Sequence, residues 1–177
     1  RLFGTDEISN NRLQRMFDIR EHNLRLIKKL EPGLVCFSVY TQDYQWSLSM
    51  ARMIKKAMDV PIVFGGIHCI LCPDQVLRED CVDYVCIGEG EHTMVGLAEG
   101  KFVGNLVSKQ VRTPYLPLIE DLDSLPMLDR DIFYAQRPLF KRGYTISTGR
   151  GCPYQCTFCA SHAFGEFYRR EKLGKYV

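Results

Sequence analysis

From residue 34 onward the chain alternates short continuous apolar runs with stretches whose apolar residues recur every three or four positions. The run LVCFSV, 34–39, predicts a strand buried on both faces, and PIVF, 61–64, and VDYVCI, 82–87, predict two more. Between the first two, Trp46, Met50, Met53, Ile54 and Ala57 repeat at helical spacing with Arg52, Lys55 and Lys56 on the other side, the pattern of an amphipathic helix. Upstream, Leu13, Met16, Phe17, Leu24, Ile27 and Leu30 predict a helix over 11–30 that EPG then ends. Pro73 and Asp74 suit a helix start, and HTMVGLAEG reads as another short helix. Strands alternating with crossover helices imply an α/β domain around a parallel sheet. Such sheets bind ligands beyond the carboxyl ends of their strands, here SVYTQ, GGIH and GEGE.

The pattern changes after residue 100. Pro114, Pro117 and Pro126 among scattered acids break any long helix or central strand, so 106–140 is expected to be a linker between a first domain, 1–105, and a second, 141–177. The run YTIST, 144–148, predicts the first strand of that second domain. The chain opens on Arg1 and ends in REKLGKYV without a closing element, so it is expected to be part of a longer protein.

Composition adds few constraints. Formal charge is +2, from 23 Lys and Arg against 21 Asp and Glu, so no strong field points to nucleic acid or an anionic membrane. No apolar run reaches the roughly 18 residues a membrane span needs. Eight cysteines in an α/β pattern, three of them clustered, suit a reducing compartment and a metal or redox use, and the expected location is cytoplasmic.

The cluster is GRGCPYQCTFCAS, 149–161, with Cys152, Cys156 and Cys159 at C-x3-C-x2-C spacing. A structural zinc site wants four closed ligands, and this loop offers three thiols and at most His162. A cubane iron–sulfur cluster can be held by three thiolates with its fourth iron left for another ligand. Gly149 and Gly151 allow close backbone approach and Pro153 stiffens the turn.

With Phe158 beside the third cysteine, this stretch resembles the signature of the radical SAM family, C-x3-C-x-aromatic-C after the first strand of an α/β, TIM-type barrel. The resemblance implies a 4Fe-4S cluster on Cys152, Cys156 and Cys159 and S-adenosylmethionine bound beside Phe158. It further implies reductive cleavage of that molecule to a radical that abstracts hydrogen from a small-molecule substrate, with a reductant such as flavodoxin or ferredoxin as partner. The protein then supplies ligation, orientation and shielding while the cofactor carries the chemistry.

The upstream part resembles the Rossmann-like cobalamin-binding domain that precedes the barrel in one branch of that family. Ser38 in FSVYT, Gly65 and Gly66 in VFGGIH, and Gly88, Glu89 and Gly90 in GEGE match positions that line the cofactor's nucleotide tail there, with His68 as a pocket neighbour. The glycines have a physical reason, since a bulky tail laid across strand ends needs backbone without Cβ atoms. The alternative is that they are ordinary strand-to-helix turns. Other cobalamin domains carry an Asp-x-His-x-x-Gly motif whose His binds cobalt. It does not occur in these 177 residues, and its usual place lies upstream of Arg1. The pairing implies a cobalamin-dependent radical SAM enzyme, most often a methyltransferase.

Two other readings stay open at this point: a methylthiotransferase of the same superfamily with a second cluster, and a zinc-stabilised binding module without enzymatic activity. Cys36 and Cys86 lie inside apolar runs, where a thiol behaves as a small hydrophobe. Cys69 and Cys72, with Cys81 nearby, are expected to be loop thiols, and His22 and His92 helix-surface residues. If the barrel stops here, the apolar residues Phe164, Phe167 and Tyr168 are expected to be poorly covered.

Overall fold

The computed structural model describes residues 19–136 and 149–174 and divides the chain into two units, Arg1–Leu116 and Pro117–Val177. The expected strand at 144–148 and the first part of the helix expected over 11–30 lie outside the described residues.

The first unit is an α/β domain. Its elements are α1 (Arg20–Leu30), β1 (Val35–Ser38), α2 (Tyr44–Ala57), β2 (Ile62–Gly65), α3 (Ile67–Leu71), α4 (Pro73–Leu77), β3 (Tyr84–Cys86), α5 (Glu91–Ala98) and β4 (Leu106–Val107). The sheet order is β1-β2-β3-β4, with β1, β2 and β3 parallel and β4 antiparallel to β3. Register places Phe37, Phe64 and Val85 on one face, where the Phe37 and Phe64 rings lie 4.9 Å apart. On the other face Cys36 pairs with Val63 and Ser38 with Gly65.

Three expectations are corrected here. β1 is not buried on both faces: Cys36 and Ser38 are exposed, because β1 is an edge of the described sheet. The buried arc of α2 runs through Tyr44, Leu48, Ala51 and Ile54, with Ser47 and Met50, whereas Trp46 is 39% exposed. Trp46 belongs to the apolar count of the helix but lies off its buried arc. None of α1 is buried. Its ends follow local chemistry all the same: Glu21 stands in the first turn and Lys28 and Lys29 in the last, each complementing the helix dipole, before Pro32 stops the run.

The range read as a linker begins inside this unit. Leu106 and Val107 pair with Cys86 and Val85, Thr113 N–H donates to the Leu106 carbonyl at 2.9 Å, and Asn105 N–H donates to the Pro114 carbonyl at 2.9 Å. Proline removes a donor but keeps its acceptor, so Pro114 does not prevent the 108–116 segment from folding back.

Asp83 ties two strand starts together. Its carboxylate accepts from the Ile62 N–H at 2.7 Å and pairs with Lys55 at 2.6 Å. Asp83→Ala would leave that amide without its acceptor and is expected to lower unfolding free energy by about 1–3 kcal/mol, read by urea denaturation. Asp83→Asn, which keeps an acceptor, should lose less.

In the second unit, α6 (Asp131–Gln136) and α7 (Ala160–Arg170) are the α-helices among the described residues. Phe164, Phe167 and Tyr168 are 5%, 9% and 3% exposed, so the apolar residues expected to be poorly covered are buried. In the same unit Leu118 N–H donates to the Leu173 carbonyl at 2.8 Å. Exposed apolar side chains lie elsewhere in this unit, at Met127, Leu128 and Ile132. No helix of the described residues is long and apolar enough to cross a membrane.

Candidate functional site

In the first unit a groove of about 360 Å³ opens at the carboxyl ends of the parallel strands. Ser38, Gly65, Gly66, Gly88 and Gly90 line it, so five positions singled out in the sequence come together. They are joined by Cys36, Phe37, Val63, Cys86 and Met94, which make the floor largely apolar. Sequence reasoning missed these five. The signal was present in the two-residue period, since Cys36 and Ser38 share one face of β1 and Val63 and Gly65 share the same face of β2.

The two central glycines have different reasons. A Cβ on Gly66 would stand 2.7 Å from Val39 N and 2.9 Å from Val39 O, at φ +91°, so this position is held by close approach of the β1 backbone. A Cβ on Gly65 would meet nothing nearer than Cys86 Cβ at 3.5 Å, an ordinary contact. Nothing in the fold itself therefore demands glycine at 65, which lines the groove.

His68 and Glu89 do not line the groove. His68 is buried, with Nδ1 3.1 Å from Thr41 Oγ1 and its ring 4.2 Å from that of Tyr44. Burial holds its pKa below the usual value, opposed by Asp43, and Nε2 has no hydrogen-bond partner among the described residues. Glu89 offers its backbone carbonyl to Asn105 Nδ2 at 2.8 Å. His22 and His92 are exposed on α1 and α5, as expected.

The thiols of this unit are not arranged as ligands. Cys69, Cys81 and Cys86 are buried, and Cys69 Sγ donates to the Gly65 carbonyl at 3.4 Å. Burial pushes the Cys69 thiol up to about 12 and the Cys86 thiol up to about 11. A thiol whose folded pKa is raised favours the fold fully below its unfolded pKa, about 8.5, and that contribution is lost as pH rises through the folded value. Stability is therefore expected to fall between about pH 9 and 11, by up to roughly 1.4 kcal/mol per pH unit for each of these two thiols. Urea denaturation across that range measures it, and Cys69→Ala should flatten the slope.

The second unit carries the cysteine loop. Cys152 is half-buried, Cys156 and Cys159 are exposed, and Cys159 N–H donates to the Cys156 carbonyl at 3.0 Å. Cys159 stands at the N-terminus of α7, and hydrogen bonds from the Ser161 side chain and backbone lower its pKa. Phe158 is 91% exposed and Tyr154 72%. Among the described residues no three His, Cys, Asp or Glu side chains converge as they would around a single cation. Three accessible thiols on one short loop still fit, as a donor set, a cluster held at separate corners.

The groove decides which known proteins are the relevant comparison. Residues 12–98 match the family model of the B12 binding domain. All ten residues lining the groove fall inside that match. Among curated relatives, an uncharacterized methyltransferase of Pyrococcus horikoshii is 28% identical over 86% of this chain and 37% of its own length. An anaerobic magnesium-protoporphyrin IX monomethyl ester cyclase of Rubrivivax gelatinosus is 32% identical over 86% of this chain and 31% of its own. A Methanocaldococcus jannaschii protein with a provisional methylthiotransferase name is 27% identical over 78% and 33%. The chain thus spans about a third of the length of the curated relatives it matches. No solved structure matches it significantly. The B12-binding match agrees with the α/β fold, and the match supports cobalamin as the ligand of the first unit.

Proposed function

We propose that the chain is part of a cobalamin-dependent radical SAM enzyme, of which methyl transfer to a small-molecule substrate is the activity favoured here. The observation that carries the reading is the convergence of Ser38, Gly65, Gly66, Gly88 and Gly90 on one apolar groove within the B12-binding match. The groove holds the nucleotide tail of the corrinoid: Gly65 leaves room beside the β2 end, and Ser38 offers a hydroxyl at its mouth. Cys152, Cys156 and Cys159 hold a 4Fe-4S cluster, and Phe158 provides an exposed aromatic surface next to the third ligand for S-adenosylmethionine. When bound, these cofactors supply reductive cleavage of S-adenosylmethionine and methyl-group carriage. The chain's own residues bind and orient them.

The methyltransferase name of one relative supports the transfer chemistry, and the cyclase name of another marks ring formation as the alternative outcome. The methylthiotransferase reading draws on the third relative's name. It needs a second cluster in the first unit, and Cys36, Cys69, Cys72, Cys81 and Cys86 include no triad spaced as closely as Cys152, Cys156 and Cys159, which counts against that. Metal and corrinoid analysis of the full-length protein, reconstituted anaerobically, tests the reading. About four irons with matching sulfide, and one corrinoid, are expected per chain. About eight irons would favour the methylthiotransferase, and one zinc without sulfide would leave a binding module.

A further inference from the structure

Asn105 is a buried polar residue that no pattern in the sequence singles out. It is 2% exposed, and its backbone stands at φ 59°. Both ends of its carboxamide are used: Nδ2 donates to the Glu89 carbonyl at 2.8 Å, and Oδ1 accepts from the Leu116 N–H at 2.7 Å. Its backbone does the same, with N–H donating to the Pro114 carbonyl at 2.9 Å and the carbonyl accepting from Ile87 N–H at 2.8 Å. One residue thus ties 87–90, two of whose glycines line the groove, to 114–116, where the chain leaves the first unit. A Cβ on Gly88 would lie 3.2 Å from Asn105 Nδ2, so the carboxamide backs the groove wall without a gap.

We propose that Asn105 is a positioning residue that couples occupancy of the groove to the order of the 113–116 segment. The inference rests on the corrinoid reading of the groove. A ligand packed against Gly88 and Gly90 restrains that loop, the loop restrains the carboxamide, and the carboxamide restrains the Leu116 amide. Binding that rigidifies one side lowers the entropy still to be lost on the other, and the coupling works in both directions. Only a side chain with a donor and an acceptor serves both partners. Aspartate would keep the acceptor for Leu116 but set a carboxylate against the Glu89 carbonyl.

Amide hydrogen exchange of the full-length protein, with hydroxocobalamin as the probe, tests this. In the wild type, saturating hydroxocobalamin is expected to slow exchange at the Leu116 amide about tenfold, within the usual range of coupling between sites. In Asn105→Asp, affinity should fall about tenfold and the ligand-induced slowing at Leu116 should vanish. A purely structural role would change exchange equally with and without ligand. Unchanged Leu116 exchange in the liganded wild type overturns the coupling, and does so even if the variant fails to fold. Wild-type affinity with preserved slowing in Asn105→Asp overturns it as well. Failure of the wild-type protein to bind hydroxocobalamin at all overturns the corrinoid reading, and this inference with it.

Discussion

Cys156→Ala is expected to take the iron content of the anaerobically reconstituted full-length protein from about four per chain to near zero. Cys156 is the middle of three thiols on one loop, and no fourth protein ligand is called for if the remaining iron binds S-adenosylmethionine. With two thiolates left, the cube would be held at two corners only. Cys36→Ala is the matched control. Cys36 lies on an exposed face of β1 in the other unit, so its removal should leave iron unchanged and cost no more than about 0.5 kcal/mol. Retention of four irons by the Cys156 variant would sink the cluster assignment. Loss of iron in the Cys36 variant would show that the first unit also contributes ligands.

Gly65→Val is expected to lower corrinoid affinity by at least about tenfold while the melting temperature stays within a few degrees of wild type. The reason is the difference between two adjacent glycines. A Cβ on Gly65 makes only ordinary contacts, and valine suits a strand, so the methyl groups enter the groove at little cost to the fold. Gly66→Val forces a branched residue to φ +91° and against the Val39 backbone. It should lose binding and about 2–4 kcal/mol of stability together, and so says less about the ligand. Titration with hydroxocobalamin beside thermal denaturation reads both. Full affinity in Gly65→Val would mean that the tail does not lie in this groove.

Much of the first unit was legible before any coordinates. Short apolar runs separated by helical periodicity placed β1, β2, β3, α2 and α5 within a few residues, because period and turn chemistry act over neighbouring residues. The clustering of glycines at strand ends was legible for a related reason. In a parallel sheet every strand points the same way, so motifs that follow successive strands must meet at one edge.

What failed was whatever depended on partners distant in sequence. Glu89 shares its stretch with Gly88 and Gly90, yet its carbonyl is taken by Asn105 sixteen positions on, and only the two glycines face the groove. His68 follows Gly66 by two residues and is carried by α3 to Thr41 and Tyr44 instead. Exposure of Cys36 and Ser38 goes with β1 being an edge of the described sheet, which no run of apolar residues records. The burial of Phe164, Phe167 and Tyr168, and the pairing of Leu118 N–H with the Leu173 carbonyl some fifty residues on, are likewise recorded by no local pattern.

The sequence by itself determined the alternation of strands and helices, the meeting of the glycines at one sheet edge, and the cysteine spacing, since each follows from local periodicity or covalent order. Only the tertiary structure decided that Gly66 is required by the close approach of the Val39 backbone while Gly65 lines the groove without such a clash, and that Asn105 joins the groove wall to the exit of the domain. Those outcomes depend on which surfaces are pressed together. Close packing and hydrogen-bond satisfaction settle them between residues that the chain keeps far apart.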